Sequence, residues 1–449
     1  MRPSTTVNKL ALVLSWLAAL MIVVLPFHAF LTVWLASGID HYTLLRLWKE
    51  FLLVLISIGA FYLLLNDARL HRQILASRLA QLIAVYCLLS LVWGVAAYAL
   101  EESTLKAMGY GLIVNLRFLI FFIAMWIIAT KSQWLKDVWL KLLLIPAAIV
   151  IFIGLLQRFI LPYDVLKHFG YGPETIFPYQ TINFDINYPR IMSTLRGANP
   201  LGTYLVLILS TITIFFLKYK QKRWLWGFFG ATGLLALFFS YSRGAWIGLA
   251  SSAVFLAWFS LKTIKARNLA LVGLATLLII VTASAVVLRS SSTFQNYLFH
   301  TNDNSKIDES SNEAHISAFK EGANDVLTEP LGRGIGTAGP ASIYNDNKVR
   351  VPENYFIQIG QELGWLGLIV FLAINFLVVR ELWLRRTETL TLILLVSFVG
   401  LTAVNLVSHA WTDDTLAYIW WGLAGIALAP AILTDRKHKR HEKNKQAPT

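Results

Sequence analysis

The chain has 449 residues, 57% hydrophobic and only 14% charged, with a formal net charge of +14. A soluble domain carries roughly 25% charged residues, so this composition excludes a water-soluble enzyme. It points to an all-α fold, a polytopic bundle of transmembrane helices.

The chain opens Met1-Arg-Pro-Ser and enters an apolar run over 10–36. That run is too long for the core of a cleavable signal, and no small-residue cleavage site follows it, so it is expected to stay as the first span. Further runs, each long enough to cross about 30 Å of hydrocarbon, lie at 44–65, 79–100, 111–130 and 138–161 and complete a first unit, 1–161. The segment 162–200 is too long for a plain connection. Its stretch "FGYGPETIFPYQTINFDINYPRIMSTLRGANP" is rich in aromatic rings and proline, which suit sugar faces and a membrane interface equally well. Spans at 201–217, 224–240, 244–260 and 268–288 form a second unit, 201–288.

A second long segment, 289–354, carries a helix expected over 305–328, where Ala314, Ile316, Ala318, Phe319, Val326 and Leu327 recur at helical spacing. Glu329-Pro330-Leu-Gly-Arg-Gly-Ile-Gly336 follows, a glycine-rich turn after a proline stop. Spans at 355–378, 389–407 and 415–434 make the last unit, 355–434, before a basic tail, 435–449. The total is about twelve spans.

The basic residues orient this map. With the N-terminus inside, the inner loops hold clusters such as Lys218, Lys220, Lys222 and Arg223, whereas the short outer loops hold only Lys106 and Arg243. The positive-inside rule then puts both termini in the cytoplasm and the two long segments outside. The tail Arg436-Lys-His-Lys-Arg440 reads as an orientation signal and an anchor to anionic membrane lipids, not as a nucleic-acid patch. Cys87 has no partner within the chain for a disulfide and reads as packing.

Charges within or at the rim of spans are functional candidates, because burying them costs several kcal/mol. These are Arg46, Lys49, Glu50, Arg117 and Arg158, and at the outer rim Arg190, Arg196, Arg243, Glu353, Asp413 and Asp414. For Arg46, Arg117 and Arg158, pairing or snorkelling is the plainer reading, and for Asp413-Asp414 it is solvation of a loop. Arg243 sits in a hairpin of a few residues, "FFSYSRGAWIG", where its planar fork suits a pair of phosphate oxygens and its alternative is contact with lipid headgroups. Histidines and acids show no metal-binding spacing, and no Walker, dinucleotide or nucleophile-elbow motif is present. Neither a metal nor a cofactor is expected.

Three stretches in order resemble the O-antigen ligase and polymerase superfamily: "PRIMSTLRGANPLGTYL" (189–205), "SYSRGAWIG" (240–248) and "EPLGRGIGTAG…VPENYFIQIGQELGWLG" (329–367). The resemblance implies a bacterial inner-membrane glycosyltransferase that takes a glycan from undecaprenyl pyrophosphate at the outer face and passes it to an acceptor hydroxyl with inversion. By the same resemblance Arg190 and Arg243 would grip the pyrophosphate. Glu353, followed by Asn354, stands where ligases of this family carry a catalytic His, and His315 stands where the family often has an Arg. On that reading Glu353 is the base, with Arg196, Asn354, His315, Glu362 and Asp413 in support. Its plain alternative is an acidic cap on the tenth span. The alternative for the whole chain is a lipid-linked glycan flippase, although transporters tend to show paired halves and midplane polar sites.

Overall fold

The computed structural model describes residues 5–182, 185–260, 268, 311–347 and 349–430. Among the described residues, helices occupy the expected apolar runs. The first run is two helices, α1 (Thr5–Val24) and α2 (His28–Ile39), joined by a tight turn at Leu25–Phe27 where Pro26 removes a backbone donor. Then come α3 (Tyr42–Arg46), α4 (Trp48–Leu65), α5 (Ala68–Leu75), α6 (Arg78–Ala99), α7 (Leu105–Lys131) and α8 (Gln133–Phe159). A hairpin of β1 (Gln180–Ile182) and β2 (Asp185–Arg190) precedes α9 (Ala198–Lys218), α10 (Arg223–Ser240) and α11 (Arg243–Ser260). The last elements are α12 (Ser311–Thr328), α13 (Tyr355–Leu384), α14 (Thr389–Asn405) and α15 (Asp414–Leu428).

Seven of the described helical segments are long and apolar enough to cross a membrane by length and composition. The molecule is a polytopic helical membrane protein. The helices α10, α11, α14 and α15 stand at further expected positions but run only 15 to 18 residues. All of the expected span at 268–288 beyond residue 268, the last four residues of the expected span at 415–434 and the tail 435–449 lie outside the described residues.

Three expectations need correction. The all-α fold class omits the β hairpin, whose antiparallel pairing sets Gln180 against Arg190. The last helix stops at Leu428 and not at 434, since Pro430 holds its predecessor in extended backbone. In α12 the supposed apolar face is largely open, with Ile316, Phe319 and Leu327 exposed. There the helix is held by polar links to α13, including Gln361 Nε2 to Asp325 Oδ2 at 2.8 Å and Trp365 Nε1 to the Val326 carbonyl at 2.7 Å.

The core is built around α15. Every residue from Thr415 to Leu428 is buried, as a helix apolar on all sides requires. It packs most closely on α7, and Trp420 and Trp421 join Trp411, Phe118 and Phe398 in one buried aromatic group. Beside it α11 meets α14 so closely that a methyl on Gly400 would lie 2.4 Å from the Gly248 carbonyl oxygen, the small-residue packing common between membrane helices. In this arrangement the starts of α4, α7, α9, α11, α13 and α15 gather at one end, and the candidate site lies there.

Candidate functional site

The hairpin delivers one cation. Ile191 N donates to the Phe239 carbonyl at 3.1 Å, which straps the end of β2 onto the end of α10. Arg190 then reaches the Ser240 carbonyl with Nε at 2.9 Å and Asn199 Oδ1 with Nη2 at 2.6 Å. The chain turns through Tyr241 at φ 51° and Ser242 into α11, so Arg243 starts the next helix alongside. Burial, reinforced by the like charge of Arg243, lowers the Arg190 guanidinium from its ordinary value to about 10. Arg190 and Arg243 are thus near enough for their like charges to interact, and an anion near both would ease that repulsion. Arg158 and Arg190 share a narrow cleft with Tyr163 and Tyr179, and Arg158 also lies over the Phe239 ring at 4.6 Å.

The acidic residue stands at the start of α13. Glu353 has φ 52°, a left-handed conformation that costs a residue with a side chain about 1–3 kcal/mol and points to a positional requirement. It does not cap the helix. Asn354 does, accepting at Oδ1 from Phe356 N at 2.9 Å and Ile357 N at 3.0 Å. The Glu353 carboxylate is left a third exposed, with Oε2 3.7 Å from His315 Nδ1 on α12.

One connecting segment, 406–413, ties these groups together. Asn354 Nδ2 donates to the Leu406 carbonyl at 2.9 Å and Tyr355 N to the Ser408 carbonyl at 3.2 Å. Gly244, next to Arg243, faces Val407, and Arg196 Nε donates to Asp413 Oδ2 at 2.9 Å. In the middle stands His409, whose Nδ1 is buried and makes no hydrogen bond among the described residues. Burial lowers its basicity from the ordinary 6.5; Glu353 opposes that shift while Arg196 and His315 add to it. A neutral imidazole therefore stands among Glu353, His315 and Arg196.

Glu362, inside α13, is fully committed. Its Oε2 accepts from Asn115 Nδ2 and its Oε1 from Gly336 N, both at 2.8 Å, deep in the bundle. Gly334 N donates to the Glu362 carbonyl at 2.8 Å and Trp365 N to the Pro330 carbonyl at 2.9 Å. The glycine-rich turn is thus seated in a break in α13 at Gly364, φ 65°, where an added methyl would lie 2.3 Å from the Pro330 carbonyl oxygen. Gly364→Ala is expected to cost about 1–3 kcal/mol from the backbone alone, with more from the clash. A lowered unfolding temperature in detergent checks it, and an unchanged one contradicts it.

Residues 228–372 match the family model described as O-antigen ligase. This segment, about a third of the chain, is similar to that family. No curated protein matches the chain. The O-antigen ligase segment contains Arg243, His315, Glu353, Asn354 and Glu362, while Arg190 and Arg196 precede it and His409 and Asp413 follow it. With its apolar helices, the chain is a membrane protein whose similarity to that family lies in this segment.

Two features escaped the sequence reading. Asp413 and Asp414 are not loop solvation, because both are largely buried and paired, Asp413 with Arg196 and Asp414 with Lys49 and His28. Those partners come from α2, α4 and the 191–197 segment, far away in the chain. His409 carries no local signal in the sequence; only the fold brings it to Glu353.

Proposed function

We propose that the protein transfers or polymerises a glycan from undecaprenyl pyrophosphate onto an acceptor hydroxyl at the outer face of a bacterial plasma membrane. What carries this reading is the convergence, at one end of the bundle, of the Arg190–Arg243 pair with Glu353. The acceptor oxygen attacks the anomeric carbon as its proton passes to Glu353. The bond from that carbon to the pyrophosphate oxygen breaks, and undecaprenyl pyrophosphate leaves with the electron pair. Its charge is taken up by the two arginines. A single displacement inverts the anomeric centre. The leaving group is already a weak base, so the chemistry calls for neither a general acid nor a metal or cofactor. Tyr110 and Tyr344, edge to face at 5.3 Å with Lys106 4.4 Å from the Tyr344 ring centre, offer a sugar-stacking surface.

Protein reconstituted with a lipid-linked glycan is expected to release undecaprenyl pyrophosphate only when acceptor is present. Release with a second lipid-linked repeat as acceptor assigns a polymerase, and release with a lipopolysaccharide core assigns a ligase. Movement of the glycan lipid across the bilayer without any release assigns the flippase alternative instead. Arg243→Lys keeps the charge and loses the two-pronged fork, so transfer is expected to fall about tenfold. Arg190→Ala is expected to do at least as much, with unfolding temperature as the control. Full activity in both variants removes the pyrophosphate clamp.

A further inference from the structure

At the end of the bundle opposite this site, a cavity of about 540 Å³ lies among α6, α7, α13 and α15, a volume typical of small-ligand sites. Its wall divides by chemistry. Trp126, Phe376 and Leu377 form an apolar part, and Arg78, Arg380 and Arg385 a cationic part. Along α13 the order is Phe376, then Arg380 one turn later, then Arg385 at the helix end, so the apolar part lies towards the middle of the bundle and the cations at its rim. Phe376 is 66% exposed, and the cavity therefore adjoins the surface that faces lipid.

The charges do not cancel. Arg380 pairs with Glu381, Nη1 to Oε1 at 2.7 Å. Arg385 Nη1 donates to the carbonyls of Ala427 at 3.2 Å and Leu428 at 3.0 Å, which are neutral partners. Arg78, in the first turn of α6, is exposed beside them. Three guanidinium groups thus stand against the single carboxylate of Glu381 in this wall. An occupant that satisfies both parts has a phosphate at one end and a hydrocarbon chain at the other.

We propose that this cavity is a binding site for an anionic phospholipid, its phosphate held by Arg78 and Arg380 and an acyl chain laid against Phe376 and Trp126. Basic pockets between membrane helices hold anionic headgroups by this combination of charge and apolar contact. A free phosphate ion would share the arginines but leave the apolar wall unused.

The test is native mass spectrometry of the full chain in a nonionic detergent, titrated with phosphatidylglycerol, phosphatidylcholine or inorganic phosphate. Phosphatidylglycerol is expected to bind at least about tenfold more tightly than phosphatidylcholine, and millimolar phosphate is expected not to displace it. Arg78→Gln/Arg380→Gln should erase the preference while leaving phosphatidylcholine binding as it was. Arg385 is left in place because it ties α13 to α15. Should the double Gln variant fold poorly, Arg78→Lys/Arg380→Lys, which keeps the charge, is expected to retain a reduced preference. Displacement by phosphate overturns the lipid in favour of a free anion. Equal binding of the two lipids, or an undiminished preference in the Gln variant, overturns the site.

Discussion

Glu353→Gln is expected to lower glycan transfer by about 10² or more while thermal stability in detergent barely moves. The two halves of that expectation have separate grounds. Stability is spared because Asn354, not Glu353, caps α13, and because Glu353 faces solvent and His315 rather than the core. Glutamine keeps the size of the side chain and suffers the same backbone strain at φ 52°. Activity is lost because an amide cannot accept the proton of the attacking hydroxyl. Glu353→His is the sharper variant, since an imidazole accepts a proton near neutrality. Residual transfer in the His variant, none in the Gln variant, and an acidic limb moved upward in pH would together identify a base at this position. Equal turnover of Gln and wild type would remove it. The role would then pass to His409, which its surroundings keep neutral below the pH at which a free imidazole becomes charged.

The bundle was legible because hydrocarbon thickness dictates run length, and runs of that length dominate the chain. The hairpin was not, because Gln180–Ile182 and Asp185–Arg190 are short strands inside a polar, proline-containing segment with no periodic signal of their own. In the candidate site, Arg243 and Glu353 could be singled out from local sequence alone: a cation in a hairpin too short to hide it, and an acid at the threshold of an apolar run. Their surroundings could not. Arg190 comes to Arg243 because a backbone bond from Ile191 to Phe239 straps the hairpin onto α10. His409 comes to Glu353 because the Asn354 amide and the Tyr355 N–H hold the 406–408 carbonyls. Glu362 reads in the sequence as a second acid close to Glu353, yet its carboxylate is spent on Asn115 and on Gly336 N. Such pairings join residues tens to hundreds of positions apart, and nothing in local composition encodes them.

The largest effect on stability is expected from Asp414→Asn, at about 3–5 kcal/mol, the usual cost of removing one partner from a buried ion pair. Asp414 Oδ2 lies 3.2 Å from Lys49 Nζ and 3.5 Å from His28 Nε2. Lys49 also lies 3.2 Å from Glu50 Oε2, and Arg117 joins Glu50 Oε1 at 3.3 Å while Nη2 donates to the Thr412 carbonyl at 2.7 Å. Lys49 and Arg117 thus balance Glu50 and Asp414, with the Lys49 and Arg117 side chains only 4% and 7% exposed. Asparagine preserves the shape and leaves one cation uncompensated among apolar helices. Lys49→Met alone leaves the opposite excess, while the double variant Asp414→Asn/Lys49→Met restores neutrality. The double variant is therefore expected to be more stable than the sum of the single losses allows, by a coupling of at least about 1 kcal/mol in unfolding measured in detergent. Simple additivity of the two losses would show that these charges are solvated and independent. The network would then lose its role in holding α2 and α4 to the start of α15.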